Sequence, residues 1–292
     1  MKAGMILLAL LGTTSSCKPT VTQDKPQELP QDKPEVAIIG TGTLAGTLGP
    51  AMGKHGYRVI YGSRDPARES VQTLVARTGA KASAVSQSEA ALQAQIILLA
   101  VPGDVVEEVA SNLGELDGKI IIDVSGGVKR VAPDGYLELV SDSTHAERIQ
   151  SKHSRMRVVR INLPNMALFL DPMLLGARAT VPIAGNDPRA REAVANIMFD
   201  LGVDPWDAGP LRFSRVFDAM NVMNLIPAQQ RRIEGYDLSM LPSVPWSCFF
   251  DPAELFRFGK PKELNELPTF PRRQPLIPCN EWQRRLGMEQ KQ

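Results

Sequence analysis

A glycine-rich turn carries the clearest chemical pattern in the sequence. Gly40-Thr41-Gly42-Thr43-Leu44-Ala45 directly follows the apolar run Val36–Ile39 and fits the pattern G-x-G-x-x-G/A. The first glycine of this pattern permits a tight turn, the second lets backbone amides approach a pyrophosphate, and the third small residue lets a helix pack on the strand. We predict that residues 40–45 bind the diphosphate of a dinucleotide at a helix N-terminus. The alternative is that the glycines serve only a tight turn.

The residues after the second predicted strand indicate which dinucleotide is bound. Gly62-Ser63-Arg64 follows the run Tyr57–Tyr61. An NAD site places an acidic side chain here for the ribose 2′-hydroxyl, whereas a hydroxyl and a guanidinium suit a 2′-phosphate. Arg68 lies one helical turn further on and adds a second cation. We therefore predict NADP(H), and we interpret Asp65 as the cap of a helix that begins at Pro66.

Two later apolar runs end in residues that are expected near the same nucleotide. The run at 96–101 leads into Ala100-Val101-Pro102-Gly103, and the run at 120–124 leads into Asp123-Val124-Ser125-Gly126-Gly127. In a parallel sheet, nucleotides bind at the carboxyl ends of the strands. We expect the backbone of Ala100, Val101 and Pro102 to pass under the nicotinamide ribose. Either loop could instead only end its strand.

Apolar strands and amphipathic helices alternate along most of the chain. The predicted strands are 36–39, 57–61, 81–84, 96–101, 120–124, 158–161 and 180–184. The predicted helices are 43–54, 66–77, 88–92, 102–109, 188–201 and 211–233. This alternation predicts an α/β fold, a doubly wound, mostly parallel sheet of the Rossmann type with right-handed crossovers. A C-terminal helical segment and an irregular, proline-rich tail follow it.

The first 34 residues have the composition of an export signal followed by a tether. Lys2 precedes an apolar run at 5–11, small residues follow, and Cys17 stands where a bacterial lipoprotein is cleaved and lipidated. Residues 18–34 are rich in Pro, Gln, Asp and Lys, which predicts a flexible linker. We predict a signal peptide with a lipobox at 1–17, a linker at 18–34, a reductase domain at 35–235 and an extension at 236–292. The alternative is a disordered leader on a cytoplasmic protein.

Charge and metal-ligand patterns exclude several other functions. The 33 basic and 32 acidic residues give a net charge of +1, so nucleic acid is not an expected partner. No His and Cys spacing suggests a metal site. His55, His145 and His153 do not cluster in the sequence, and we expect each to be solvated rather than catalytic. Whether Cys248 and Cys279 form a disulfide stays open, since spacing does not give distance.

Several spaced motifs resemble those of a known family. They are Gly40 to Ala45, Gly62 to Pro66, Ala100 to Pro102, Val158 to Arg160, Pro182 to Asp187 and Asp207 to Leu211. Their order resembles that of NADPH-dependent coenzyme F420 reductases and of the reductase domain of STEAP metalloreductases, over residues 36–230. The resemblance implies hydride transfer between NADPH and a flavin or deazaflavin. It also implies that the segment Asn162-Leu163-Pro164-Asn165-Met166 forms the flavin-side pocket, and we include Asn162 among the cofactor-binding residues.

The sequence leaves three functions open. The leading one is an NADP(H)-dependent oxidoreductase that uses F420, a flavin or another small acceptor, with no catalytic residue assigned, since hydride transfer depends mainly on alignment. The second is an imine reductase related to pyrroline-5-carboxylate reductases. The third is a non-catalytic NADP-binding lipoprotein. The expected partners are a small-molecule acceptor, a second copy of the chain in a homodimer, and a membrane held only through Cys17.

Overall fold

A computed structural model describes residues 33–229 together with Met240, Pro278, Asn280, Glu281 and Arg284. The chain divides between Asp32 and Lys33 into two units, and every described residue belongs to the second. The predictions for residues 1–32 and for most of the tail, including Cys17, Cys248 and Cys279, lie outside the described residues. Within the described part, no helix is both long and apolar enough to cross a bilayer.

The described residues form an eight-stranded sheet and a separate two-stranded hairpin. The strands are β1 (Val36–Ile39), β2 (Val59–Gly62), β3 (Ser83–Val85), β4 (Ile96–Leu99), β5 (Ile120–Asp123), β6 (Lys129–Val131), β7 (Leu137–Leu139), β8 (Arg157–Ile161), β9 (Thr180–Gly185) and β10 (Asp204–Gly209). The sheet has the order β10-β9-β8-β5-β4-β1-β2-β3, and β6 pairs with β7. All neighbouring strands in the large sheet are parallel except β8 and β9. The doubly wound, mostly parallel sheet is thus confirmed.

Helices cover both faces of this sheet. They are α1 (Thr43–Lys54), α2 (Glu69–Thr78), α3 (Gln87–Gln93), α4 (Val106–Ser111), α5 (His145–Lys152), α6 (Ala167–Leu170), α7 (Pro188–Asp200) and α8 (Ser214–Gln229), with a 3₁₀ turn at Leu211–Phe213. Leu48 of α1 and Val194 of α7 belong to the buried cluster on one face. Val106 of α4 and Ile149 of α5 belong to the cluster on the other. Each such fully buried aliphatic side chain contributes roughly 2 kcal/mol.

The helix after β2 begins later than the sequence predicted. We expected it at Pro66 with Asp65 as its cap, but α2 starts at Glu69 and Arg68 has the extended N-cap conformation. The backbone N–H of Asp65 donates to the Ser63 hydroxyl at 3.2 Å, so Asp65 belongs to a local turn. The prediction of Asp65 as a cap was therefore wrong. The helix expected from Pro102 likewise begins only at Val106.

Five elements, β6, β7, β10, α5 and the single turn α6, had no prediction, and the first four lack apolar periodicity in their sequences. The hairpin of β6 and β7 is largely exposed, and β10 contains Pro205 in an edge strand. Helix α5 has a polar sequence but is closed by a capping box, in which Thr144 accepts from the backbone N–H of Glu147 and Glu147 bonds back to the N–H of Thr144. The pattern T-x-x-E was visible in the sequence and could have identified this helix.

Candidate functional site

A cavity of about 820 Å³ lies at the carboxyl ends of β1, β2 and β4. Nine of the residues predicted to bind the cofactor line it: Gly40, Thr41, Gly42, Ser63, Arg64, Arg68, Ala100, Val101 and Pro102. They come from three strand ends that the order β4-β1-β2 makes adjacent. This is the place where open parallel sheets bind nucleotides.

The glycine turn is built so that the chain can pass closely between neighbouring loops. Gly40 has a φ of +116°, and a Cβ there would lie 2.4 Å from the carbonyl oxygen of Ala100. A Cβ at Gly42 would meet nothing within 4 Å, so the space above this residue is open. Gly40 therefore serves the fold, while Gly42 leaves room for a ligand.

The N-terminus of α1 suits a diphosphate. No side chain caps this 12-residue helix, and its first turn contains no acidic residue. The first N–H groups of a helix need partners, and together with the helix dipole they attract an anion. Thr43 and Leu44 lie in this turn, whereas Ala45 is fully buried against the sheet, as the third small residue of the motif requires.

The end of β2 presents two guanidinium groups to the same cavity. Ser63 is buried there, while Arg64 and Arg68 are exposed. The Arg68 guanidinium donates from Nη2 to the Thr41 hydroxyl at 3.3 Å, which links the end of β2 to the glycine turn. Among the described residues, neither arginine forms an ion pair within 4.0 Å. Both are thus available to a phosphate.

The opposite wall of the cavity comes from α4 and the loop before it, which the sequence analysis did not assign. Its residues are Asp104, Val105, Glu108, Val109 and Asn112, with Gln87 from α3. They repeat at four-residue spacing on one helical face, which is the signal that could have identified them. Carboxylates accept hydrogen bonds from hydroxyl and amino groups but repel phosphate. The two walls therefore differ in the ligand groups that they suit.

Asn162, the remaining predicted cofactor residue, does not line this cavity. It follows β8, which is two strands away from β4 in the sheet. Its side chain is largely buried, and its backbone N–H donates to the carbonyl oxygen of Pro182 at 3.3 Å. If Asn162 contacts the cofactor, the nicotinamide half must lie along the carboxyl ends of β4, β5 and β8.

Buried charges at this edge join β5 and β8 to α8. Arg160 is 1% exposed and donates from Nη2 to Asp218 Oδ1 at 3.1 Å. Its Nε lies 3.6 Å from Asp123 Oδ2. Burial raises the pKa of the Asp218 carboxyl above its ordinary value, although Arg160 opposes this shift. These contacts have no local sequence signal, because Arg160 and Asp218 are 58 positions apart.

The glycines after β5 make room for this cluster. A Cβ at Gly127 would lie 2.6 Å from Cβ of Asp218, and one at Gly126 would lie 2.3 Å from Lys129 Nζ. Lys129 donates to Asn221 Oδ1 at 3.0 Å, and burial lowers the pKa of its ammonium group. Gly126 and Gly127 thus permit the close approach of α8 and Lys129, which is a structural role.

Two buried oxygen atoms near the same strand ends have no hydrogen-bond partner among the residues that the structure describes. They are Ser125 Oγ and Asp123 Oδ2, and the residues are 6% and 0% exposed. The other oxygen of Asp123, Oδ1, accepts from the backbone N–H of Ser125 at 2.9 Å. Buried polar atoms are normally paired, so an unpaired hydroxyl at a strand end fits a polar ligand group.

His145 contradicts the expectation that it is solvated. It is 8% exposed, and its Nδ1 lies 2.9 Å from Glu107 Oε1. Burial raises the pKa of the Glu107 carboxyl, but the hydrogen bonds from His145 and Lys152 lower it more, so the net direction is downward. His145 is buried because it begins α5, whose N-terminus packs beside α4.

The other two histidines are more exposed than His145. His55 is exposed, as expected. His153 is half-buried, and its Nε2 has no hydrogen-bond partner, so it too is less solvated than predicted. In the described part of the chain, no group of three or more His, Cys, Asp or Glu residues could hold a metal ion.

Comparison with known proteins relates part of the chain to one family. Residues 35–127 match the model of the family described as NADP oxidoreductase, coenzyme F420-dependent. Metalloreductase STEAP3 of Rattus norvegicus is 27% identical over 201 residues, which cover 69% of this chain and 39% of the relative. The chain thus spans about two fifths of the length of this curated relative.

Solved structures share the fold. A protein from Arthrobacter sp. FB24, described as an F420-dependent NADP reductase, has a TM-score of 0.61 at 24% identity, covering 68% of this chain and 95% of that one. The hypothetical protein SMa0349 of Sinorhizobium meliloti has a TM-score of 0.54 at 25% identity, covering 71% and 95%.

The sheet, the glycine turn and the two arginines define a Rossmann oxidoreductase that uses NADP(H). Within that class, residues 35–127 match the family of coenzyme F420-dependent NADP oxidoreductases. The predicted family, fold class and cofactor are confirmed.

Proposed function

We propose that this chain is an NADPH-dependent reductase that transfers hydride to a small acceptor, with a deazaflavin or a flavin as the first candidates. The observation that carries the proposal is the convergence on one cavity of an uncapped α1 N-terminus and two guanidinium groups that form no ion pair among the described residues. An anion site of this size at the carboxyl edge matches a dinucleotide that carries a third phosphate. The matched family is described as coenzyme F420-dependent, so F420 is the acceptor to test first.

Different residues of the cavity would bind different parts of the cofactor. The amides of the α1 N-terminus would hold the diphosphate, and Ser63, Arg64 and Arg68 would hold the 2′-phosphate. Bound NADPH supplies a hydride. The loop from Ala100 to Pro102 would orient the ribose next to it, and Ser125 offers an unpaired hydroxyl further along the edge. Alignment of this kind can contribute several kcal/mol to hydride transfer.

An acceptor assay tests this proposal. Full-length protein with NADPH should oxidise the nicotinamide in the presence of F420, FAD or a cyclic imine such as 3,4-dihydroisoquinoline, followed at the nicotinamide absorbance band. The rate with NADH should be at least about 10-fold lower, since it lacks the phosphate that Arg64 and Arg68 would bind. Tight NADPH binding without oxidation by any acceptor would contradict the reductase and favour the non-catalytic binding protein.

We propose further that the domain is exported and held at a membrane through a lipid on Cys17. The support is the order of Lys2, the apolar run and the small residues before Cys17, followed by a tether-like composition. Because free NADPH is scarce outside the cytoplasm, such a protein would need to retain its cofactor tightly.

Mass spectrometry of the mature N-terminus tests the anchor. In a bacterial host that processes lipoproteins, the chain should begin at a diacylated Cys17. A Cys17→Ser variant should carry no lipid and should not begin at residue 17. Recovery of wild-type protein with an intact Met1 would contradict the export proposal and restore a cytoplasmic reductase.

A further inference from the structure

The pair of Glu107 and His145 has no role in cofactor binding as described above. Glu107 Oε1 contacts His145 Nδ1 at 2.9 Å and Arg148 Nη1 at 3.2 Å, and Glu107 Oε2 contacts Lys152 Nζ at 3.0 Å. A carboxylate that accepts from Nδ1–H fixes both the orientation of the imidazole and the atom that remains free. The free atom here is Nε2.

This free nitrogen lies beside the loop after β4 and the loop after β5, at the carboxyl ends of the strands. A Cβ built at Gly103 would lie 3.3 Å from His145 Nε2 and 3.1 Å from the carbonyl oxygen of Gly126. The imidazole is therefore next to the point where the loop after β4 meets the loop after β5. Within the described residues, Nε2 has no hydrogen-bond partner.

The charges around the imidazole come from every element that packs against it. Glu107 of α4 faces Nδ1, and Arg148 and Lys152 of α5 share that carboxylate. Asp218 of α8 is close enough for His145 to lower the pKa of its carboxyl. Lys129 and Arg160 lie behind Asp218. Among these groups, the Glu107 carboxylate is the one in direct contact with the imidazole.

Hydride transfer to a conjugated acceptor requires a proton as well. When a hydride adds to the carbon of a C=N or C=O unit, or of its conjugated extension in a deazaflavin, an electron pair moves to the heteroatom. That heteroatom must then be protonated. A positioned imidazole performs this step in many enzymes and contributes about 10²–10⁴-fold to the rate.

We propose that His145, positioned by Glu107, delivers this proton, and that the acceptor is therefore one that takes a hydride at carbon and a proton at nitrogen or oxygen. The C4–H bond of NADPH breaks and its electron pair forms the new C–H bond. The Nε2–H bond of the imidazolium breaks as the N–H or O–H bond forms, and water later reprotonates the neutral imidazole. The proposal rests on the reductase function proposed above and narrows its substrate class.

A binding experiment tests the placement without any turnover. The sequence has three histidines, so the imidazole NMR signals of the full chain can be assigned from His→Asn variants. Saturating NADP⁺ should shift the His145 signal, whereas adenosine 2′,5′-bisphosphate, which lacks the nicotinamide half, should leave it in place. The exposed His55 signal should respond to neither ligand and serves as the control.

A kinetic experiment tests the proton transfer. With F420 or 3,4-dihydroisoquinoline as the acceptor, His145→Asn should lower kcat about 100-fold while the KM for NADPH stays within twofold. The wild-type kcat should fall at alkaline pH as an imidazole deprotonates and should show a solvent deuterium isotope effect, and both should disappear in the variant. The matched substitution His55→Asn should change neither quantity.

The outcomes separate the two proposals. If NADP⁺ fails to bind at all, the reductase function itself is wrong. If NADP⁺ binds but the His145 signal responds equally to adenosine 2′,5′-bisphosphate, or if His145→Asn keeps the wild-type pH profile, only the proton-donor role is overturned. Glu107→Gln gives a second check, because it should reduce kcat less than His145→Asn does and shift the pH profile, as expected for a positioning residue.

Discussion

Replacing Gly42 with valine is expected to abolish NADPH binding while the protein remains folded. The backbone at Gly42 has a φ of −83° and a ψ of −162°, which is an extended conformation open to other residues. A Cβ there meets nothing within 4 Å, so the side chain would project into the cavity without disturbing the fold. It would occupy the approach of a diphosphate to the α1 amides. Loss of two charge-assisted hydrogen bonds, each worth about 1.5–3 kcal/mol, predicts an affinity at least about 100-fold lower.

Two other glycines provide the comparison for this experiment. A Cβ at Gly46, within α1, also meets nothing within 4 Å, and Gly46→Ala should bind NADPH normally with equal or higher thermal stability. Gly40→Ala should instead unfold or strongly destabilise the domain, because its Cβ would lie 2.4 Å from the Ala100 carbonyl oxygen at a positive φ. Calorimetric titration and thermal denaturation measure both effects. A Gly42→Val protein that binds NADPH within threefold of wild type would refute the assignment.

The sequence predicted those parts of the fold in which a short run of residues shows directly whether its side chains are buried. Runs such as 96–99 and 120–122 are apolar throughout because both faces of their strands are covered by helices. The glycine turn and the end of β2 were predictable because the nucleotide motif is contiguous and its strand context can be read directly. Nine of the thirteen predicted cofactor residues consequently meet at one cavity.

The parts that the sequence did not predict depend on contacts between distant segments. Arg160, Asp123 and Asp218 appear unrelated in the sequence, yet they meet where α8 crosses the ends of β5 and β8. His145 lies in a polar stretch, so its composition favoured solvent exposure. It is buried instead because the capping box at Thr144 starts α5 beside α4. Packing of this kind has no local signature.

Reversing the charge of Arg64 is expected to reduce the preference for NADPH over NADH strongly. Arg64→Glu should weaken NADPH binding by at least about 100-fold, since one charge-assisted contact of about 2–3 kcal/mol is replaced by repulsion. NADH binding should change less than threefold or improve, because a carboxylate at the end of β2 suits a free ribose 2′-hydroxyl. Arg64 is exposed and forms no ion pair among the described residues, so the fold should not depend on it.

The effect must be separated from a general change in charge. Arg155→Glu makes the same substitution just before β8, at the amino ends of the parallel strands and away from the cavity. Arg155 forms an ion pair there with the exposed Asp117. It should leave the affinity for both nucleotides unchanged, apart from a small salt-dependent effect. Fluorescence titration with NADPH and NADH gives the ratio directly. Because Arg68 reaches Thr41 from the same side, Arg64→Glu combined with Arg68→Glu should remove the remaining NADPH preference. Equal binding of both nucleotides by the wild type would show that neither arginine reads the 2′-phosphate.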